Sequence, residues 1–406
     1  RLSKLGGERI VPLQKCDTDY EGDSQSWFTA LMQQLQRPAG APQPEAQVVV
    51  KKSTGKKLYI GSVLSNTNLN DIGSGKQTHH IEIAAEDLDY QPGDSIGIIP
   101  HNPLSVVEAI LSITGANPDK VLSFRNEEHT LLNLLKNKLN IVFLPERVVN
   151  EYARIVQQQI PQTKIGLLDL LKIYPVRDAE QFEEAIAILE PITPRLYSIA
   201  SSLEAHSGEV HLTVARDSFV INGEKKYGLC SDMLCHLPEN AELSFYVHKN
   251  NQFRLPAPDK DVIMIGPGTG IAPFRAFLWE RDATGGAGRN WLFFGDQHFI
   301  TDFLYQTEIQ NWVETGTLTN VSLAFSRDQQ EKIYVQHKML KQGAELYQWI
   351  EQGGYIYICG AKDPMSVDVE KALTLIIKQH GGKDSKGAEA YLDKLKEEGR
   401  YLKDVY

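Results

Sequence analysis

At 406 residues, with 42% apolar and 23% charged side chains, the chain is long enough for two or three globular units and too apolar for wholesale disorder. A net charge of −10 without any Lys/Arg cluster excludes nonspecific nucleic-acid binding, and no apolar run approaches the about 18 residues of a membrane-spanning helix. Four cysteines (Cys16, Cys230, Cys235, Cys359), none in a C-x-x-C pair, make no disulfide framework and point to a reducing, cytoplasmic setting.

The N-terminus has no signal-peptide core, and an opening without Met leaves room for residues upstream. Ser24 to Gln36 reads as a capped amphipathic helix with Trp27, Phe28, Leu31, Met32 and Leu35 on one face. The Pro-rich Arg37–Pro44 then reads as a linker. Two readings of this helix stay open: it is the tail of a unit lying upstream, or it packs back on the unit beyond the linker.

From Val48 to Pro100 the pattern is strand-rich, at Val48–Val50, Leu58–Ile60, His80–Ile83 and Tyr90–Ile99, with a turn at Tyr90–Asp94. Residues 103–190 turn helical, for example at Leu104–Ile113, Leu131–Leu139 and Ala179–Leu189. Strands return at Leu196–Ile199, Glu209–Val214 and Leu243–Val247, so the helical block reads as an insertion into a β-domain. After Asp261, strands at Val262–Ile265, Trp291–Phe294, Val321–Phe325 and Tyr355–Cys359 alternate with helices, which predicts a parallel, doubly wound sheet.

The most informative stretch runs from Val262 to Leu278. A short apolar strand ends in Gly266-x-Gly268-x-Gly270, and a helix begins at once. Free amides of a helix's first turn point at an anion, and glycine lets a pyrophosphate reach the backbone. Alone this cluster is weak, since it also marks an ordinary tight turn. Arg195, Tyr197 and Ser198 put a cation, an aromatic and a hydroxyl on one short strand, Ser198 facing away from the other two unless the strand bends. A guanidinium holds a pyrophosphate bidentately and an aromatic ring covers a flat heterocycle. Gly228 and Ser231 open another helix, a second phosphate seat. Each of these features, taken singly, is also what a plain strand or helix cap presents.

Together, Arg195-x-Tyr197-Ser198, Gly228-x-x-Ser231, the Gly266–Pro273 turn, Tyr355–Gly360 and the terminal Tyr401–Tyr406 recur in this order in the diflavin reductases, which the chain resembles over roughly residues 46–406. The resemblance implies an antiparallel FAD-binding barrel (46–102 and 191–258) with an inserted helical connecting region (103–190). An α/β NADPH-binding domain (259–406) comes after it, and residues 1–45 are the tail of an upstream flavodoxin-like FMN domain plus linker. It further implies that Arg195, Leu196, Tyr197 and Ser198 bind FAD, Tyr197 against the isoalloxazine. Thr213, Val214 and Ala215 would line the flavin's polar edge through the backbone, and Gly228, Leu229, Cys230 and Ser231 would seat the pyrophosphate. Phe219 stands where sulfite reductase relatives have Tyr, and Val142 where a Thr often contacts FAD, so both contacts are altered. Gly268 and Thr269 belong to the dinucleotide turn. Around the reacting rings the family sets a Ser, a Cys and an Asp, here Ser198, Cys359 and Asp404. Tyr406 would lie over the flavin and swing aside when nicotinamide docks.

The second dinucleotide is read as NADPH. Ser326 and Arg327 end a strand, with Lys332 and Tyr334 close behind, and a 2′-phosphate calls for cations where an NAD site has an acid, although Asp328 is next in the chain. The resemblance extends this set over Ile333, Val335, Gln336 and Asp368. It implies hydride transfer from NADPH to FAD and single-electron passage through an FMN domain to a sulfite reductase hemoprotein, in an oligomeric full-length protein. A C-terminal Tyr favours the sulfite reductase group over members serving haem monooxygenases. The alternatives are a reductase for another acceptor, such as a haem monooxygenase or flavodoxin, and a flavin-binding subunit without turnover. Cys230 and Cys235 are read as core or site-lining residues. No metal site is expected at His79–His80, and Asp363–Pro364 is read as the N-cap and first residue of the last long helix.

Overall fold

The computed structural model describes residues 11, 20–35, 57–162, 164–221 and 223–406. The expected linker Arg37–Pro44, the strand at Val48–Val50 and Cys16 lie outside the described residues. The chain divides into two compact units, 1–56 and 57–406. In the first, helix α1 (Tyr20–Leu35) starts ahead of the expected Ser24 and exposes Trp27, Phe28 and Met32.

The second unit opens with strands β1 (Leu58–Asn68), β2 (Thr78–Ala84) and β3 (Ser95–Ile98). In β1, Tyr59, Gly61 and Val63 face inward while Leu58, Ile60 and Leu64 face solvent, the period-two pattern of a half-buried strand. The insertion comes next: α2 (Leu104–Thr114), the hairpin β4 (Val121–Phe124) and β5 (Glu127–Thr130), α3 (Leu131–Asn133), α4 (Glu146–Val156), α5 (Leu167–Ile173) and α6 (Ala179–Ala187). It has its own core around Val107, Leu135, Val148, Tyr152 and Phe182. The β4–β5 hairpin is an addition to the helical block read from sequence. Beyond it lie β6 (Arg195–Ser198), β7 (Glu209–Ala215), the hairpin β8 (Ser218–Ile221) and β9 (Glu224–Tyr227), α7 (Leu229–Cys235) and β10 (Glu242–His248). Six strands form an antiparallel sheet of order β6-β3-β10-β1-β2-β7. The Ile199–Leu212 bridge and the Ala200 N–H on the His211 carbonyl (2.8 Å) return β6 to β7 and close it into a barrel. The insertion is tied to the segments that flank it by the Asn102 N–H on the Lys136 carbonyl and the Ile192 N–H on the Lys138 carbonyl, each at 2.8 Å.

The remainder runs β11 (Val262–Ile265), α8 (Ala272–Thr284), β12 (Asn290–Asp296), α9 (Phe299–Asp302), α10 (Gln306–Thr315), β13 (Asn320–Phe325), α11 (Val335–Lys341), α12 (Gly343–Glu351), β14 (Tyr355–Gly360), α13 (Val367–Gly381), α14 (Ser385–Glu397) and β15 (Tyr401–Val405). All five strands are parallel, in the order β13-β12-β11-β14-β15. Helices cover both faces, so Trp291 and Phe293 bury on one side and Leu292 and Phe294 on the other. The fifth strand, β15, was singled out by sequence only as a terminal motif. Asp363–Pro364 also differs from expectation: its peptide is cis, α13 begins at Val367, and α14 is a further long helix after it.

Barrel and parallel sheet meet at a buried polar cluster. His80 of β2 and His211 of β7 stand edge to face, and with Glu82 their ligating atoms lie within 4.8 Å of one another. The pair His79–His80 alone did not foretell this, because the third member comes from another strand. Arg275 of α8 reaches His211 Nδ1 at 3.1 Å. A guanidinium has no acceptor, so His211 Nδ1 accepts and Nε2–H donates to Glu209 (2.8 Å). On His80, Nδ1 faces the Tyr305 hydroxyl (3.0 Å) and Nε2 faces Glu82 (3.1 Å). With its proton on Nε2, His211 offers that position no lone pair for a cation.

Burial, reinforced by Arg275, holds the His80 pKa down to about 3 and that of His211 to about 2. An unfolded chain takes up these protons near pH 6.5, the folded one only far below. Between those values the unfolded state binds more protons, so stability falls as pH drops below 6.5. The expected loss between pH 6.5 and 5 is about 2 kcal/mol per histidine. In urea unfolding from pH 7.5 to 5, His80→Asn should remove about one proton from the slope; an unchanged slope refutes the assignment.

Candidate functional site

A cavity of about 750 Å³ opens along β6, the edge strand of the barrel sheet. Arg195, Leu196, Tyr197 and Ser198 all line it, although strict alternation sets Ser198 on the opposite face from Arg195 and Tyr197. The difference arises from the edge position: the cavity wraps the strand's unpaired side. Opposite stand Thr213, Ala215, Phe219 and the segment Gly228–Ser231, with Thr269 and Tyr406 closing one end. Val214, by contrast, faces the barrel core. Thr213 Oγ1 is committed to the Tyr305 hydroxyl (2.6 Å).

The Arg195 guanidinium is exposed and held from one side by Thr193 Oγ1 (2.7 Å). Gly228 caps α7, and a Cβ there would come to 2.9 Å from Ser231 Oγ and 3.3 Å from Asp217 Cβ. The Ser231 hydroxyl is taken, donating to the Gly228 carbonyl (3.2 Å) and accepting from the Asp217 amide (3.1 Å), so the first-turn backbone amides are what this helix start offers an anion. Burial pushes the Tyr197 hydroxyl pKa up, so it stays protonated, and Cys230, also buried, is its hydrogen-bond partner. Asn140, Phe143 and Asp217 also line the cavity and were not read from sequence, whereas Val142 lines it as expected. Phe143 meets Phe219 edge to face at 4.8 Å. This pairing spans the insertion and the β8–β9 hairpin, so no local pattern announces it.

The second half of the site is the crevice at the carboxyl ends of the parallel strands. Strand order reverses between β11 and β14, the switch point where such sheets bind ligands. Gly268 adopts φ +58°, open to glycine at little cost, and a Cβ on Gly270 would collide with the Cys359 carbonyl oxygen. The turn therefore lies against the end of β14. Register then pairs Cys359 with Asp404 of β15. Ser198 Oγ donates to Asp404 Oδ2 at 3.1 Å, joining the barrel edge to the parallel sheet. Burial raises the Asp404 pKa, with the Ser198 bond opposing. Burial, with Asp404 nearby, keeps the Cys359 thiol protonated. The Tyr406 hydroxyl bonds Thr269 Oγ1 (2.9 Å), so the terminal ring spans cavity and turn.

Farther along the same crevice, Ser326 is buried at the end of β13, and its amide bonds the Asp296 carbonyl (2.9 Å). Arg327 and Lys332 are exposed and form no ion pair among the described residues. Asp328 is turned away from them, its carboxylate on His298 Nδ1 (2.9 Å) and the Phe299 amide (2.7 Å). Tyr334 caps α11 and is exposed, whereas Ile333 and Val335 pack into the sheet's core. Gln336 is half-buried on α11, and Asp368, in the first turn of α13, pairs with Lys371 (3.1 Å). None of these eight expected residues lines the cavity beside β6. Lys76, on the β1–β2 connection, holds both Asp296 oxygens (2.6 and 2.7 Å) and neutralises the carboxylate near the Gly268 turn. Sequence alone did not single it out.

Comparison with known proteins agrees with this division. A family model described as FAD binding domain matches residues 51–165 and 136–233, and one described as Oxidoreductase NAD-binding domain matches 264–371. The chain is 39% identical to the sulfite reductase (NADPH) flavoprotein alpha-component of Bacillus subtilis, covering all of this chain and 71% of that protein. It is 40% identical to the protein of the same description from Zymomonas mobilis (71% covered) and 37% to that of Escherichia coli O157:H7 (72% covered). The chain belongs to this flavoprotein family. It is a flavoprotein oxidoreductase in which an FAD-binding barrel is joined to a nicotinamide-dinucleotide-binding α/β sheet. Both cofactors fit what is present: an open cation and helix-start amides in the barrel cavity, and a side-chain-free turn at the switch point.

Gly270→Ala is expected to destabilise the second unit by about 1–3 kcal/mol or more through overpacking. Gly75→Ala, where a Cβ meets nothing within 4 Å, should be near neutral. Urea midpoints of the two variants test the contrast, and equal midpoints would refute it.

Proposed function

We propose that this chain takes hydride from NADPH onto FAD and passes electrons, through an FMN-bearing module, to a hemoprotein that reduces sulfite. The observation that carries the reading is the convergence of Ser198 from the barrel with Cys359, Asp404 and Tyr406 from the parallel sheet, joined by the Ser198–Asp404 bond of 3.1 Å. A module that only stored a flavin has no need of a second sheet at that edge.

Bound FAD supplies the hydride-accepting and electron-dividing chemistry that side chains lack. The chain's part is placement. Arg195 and the first-turn amides of α7 hold the pyrophosphate, and Tyr197 covers the flat ring system. Ser198 Oγ, its proton directed at Asp404 Oδ2, and the protonated Cys359 thiol edge the place where the nicotinamide docks. Tyr406 excludes water from that place until the nicotinamide displaces it. Ser326, Arg327 and Lys332 take the 2′-phosphate, with Tyr334, Gln336 and Asp368 beside it. Asp328, occupied by His298 and Phe299, does not offer the ribose the acceptor an NAD site needs.

In this reading residues 46–102 and 191–258 are the FAD domain, 103–190 the connecting region and 259–406 the NADPH domain, with 1–45 leading from the FMN module. The full-length protein is cytoplasmic and oligomeric. Among the described residues, no helix is long and apolar enough to cross a membrane.

Anaerobic stopped-flow mixing tests this. NADPH should bleach the bound flavin rapidly and NADH only slowly. Arg327→Ala and Lys332→Ala should each weaken NADPH binding about tenfold, the worth of a charge-assisted contact, and leave NADH unaffected. Equal bleaching by the two nucleotides would overturn the 2′-phosphate assignment.

A further inference from the structure

We infer that Arg275 is a positioning residue for hydride transfer, its guanidinium tying the helix behind the dinucleotide turn to the strand that carries Ser198. The inference rests on the NADPH-to-FAD reading and extends it to a residue outside both cofactor sites.

Arg275 lies near the start of α8, directly after the turn that contains Thr269, and is 4% exposed. Burying a cation so completely is costly unless every donor is placed. Nε and Nη2 form a fork on the Glu308 carboxylate of α10, each at 2.7 Å. Nη1 donates to the Ala200 carbonyl at 2.7 Å and to His211 Nδ1 at 3.1 Å. The Tyr305 ring lies 5.0 Å from the guanidinium carbon.

Three of these partners define what the tie does. Ala200 stands two residues after Ser198, and its own N–H returns to the His211 carbonyl at the point where the barrel closes. Glu308 lies on α10, which like α8 belongs to the α/β half of the unit. One planar group thus fixes α8 against the backbone just beyond β6 and against β7. An apolar side chain would fill the space without setting an angle.

Thr269, in the turn just before α8, lines the cavity and bonds Tyr406. A tilt of α8 therefore moves the nicotinamide seat relative to Ser198, and a displacement of about 1 Å can cost about 100-fold in rate. Arg275 does not line the cavity, so it acts through α8 and β6 and not on the reacting atoms.

The test uses the full chain with FAD bound, as Arg275→Lys and, separately, Glu308→Gln. Lysine keeps the charge but loses the fork; glutamine keeps the shape and weakens it. Single-turnover reduction is followed with NADPH and with NADPH deuterated at the transferred position. The expected result is FAD content and NADPH affinity within about threefold of the unmodified protein, with the limiting reduction rate down about tenfold or more and a larger primary isotope effect. A purely structural role would lower thermal stability and FAD content without changing the isotope effect. An unchanged limiting rate in the FAD-loaded variants, or a slower one with an unchanged isotope effect, overturns the inference. Should Arg275→Lys fail to fold, Glu308→Gln decides by the same criteria. If NADPH does not reduce the unmodified protein, the hydride-transfer reading itself fails.

Discussion

The seating of the Gly266–Gly270 turn against the end of β14 is the constraint on which the rest of the site depends. Because Gly270 has no side chain, the turn can rest on the Cys359 carbonyl, and α8 starts from that fixed point. Parallel pairing with β15 then sets Asp404 opposite Cys359 and brings the chain's last residues over the turn. Through Asp404 and Ser198 the arrangement reaches the barrel edge. A side chain at position 270 would separate the turn from the strand and move every later contact with it.

Electrostatics in this acidic chain are local. Exposed cations stand at the cavity and the crevice although the protein carries a net charge of −10. Arg195, Arg327 and Lys332 are held at the openings, where water has not been wholly displaced from them. Carboxylates near the crevice are engaged elsewhere: Asp296 by Lys76, Asp328 by His298 and the Phe299 amide. The cation buried between the sheets, Arg275, is matched by Glu308 and by two imidazoles kept neutral. Exposed cations at the mouths thus coexist with a buried, hydrogen-bonded seam in which Arg275 is held by Glu308, and His80 and His211 by Glu82 and Glu209.

Much of the architecture was legible in the sequence because its signals are short-range. The strand–turn–helix at Val262–Leu278, the helix opened by Gly228, and the alternation of β12, β13 and β14 with helices each depend on neighbours a few positions apart. What escaped was long-range or irregular. The β4–β5 hairpin hid in a helical block because each strand has only four residues, too few to show a period, and β5 is polar throughout. β15 hid because a five-residue strand at a chain end has little periodicity to read. Asp363–Pro364 resembled a helix start, yet the chain crosses it in a cis bond before α13 begins. Phe143, Lys76 and Arg275 gave no signal, since each acts on a partner far away in sequence.

By itself the sequence determined most of the segments that become strands, helices and glycine turns, and which residue types stand at their ends. Hydrophobic period, glycine placement and helix caps act locally and are written along the chain. Only the tertiary structure decided that Ser198 turns into the cavity with Arg195 and Tyr197, that Asp404 stands beside Cys359, and that Asp328 faces away from Arg327. It likewise brought His80, His211 and Arg275 into one cluster. Those outcomes depend on the open edge of β6, the register of β14 with β15 and the docking of α8 on the barrel, which are relations between segments and not properties of any one of them.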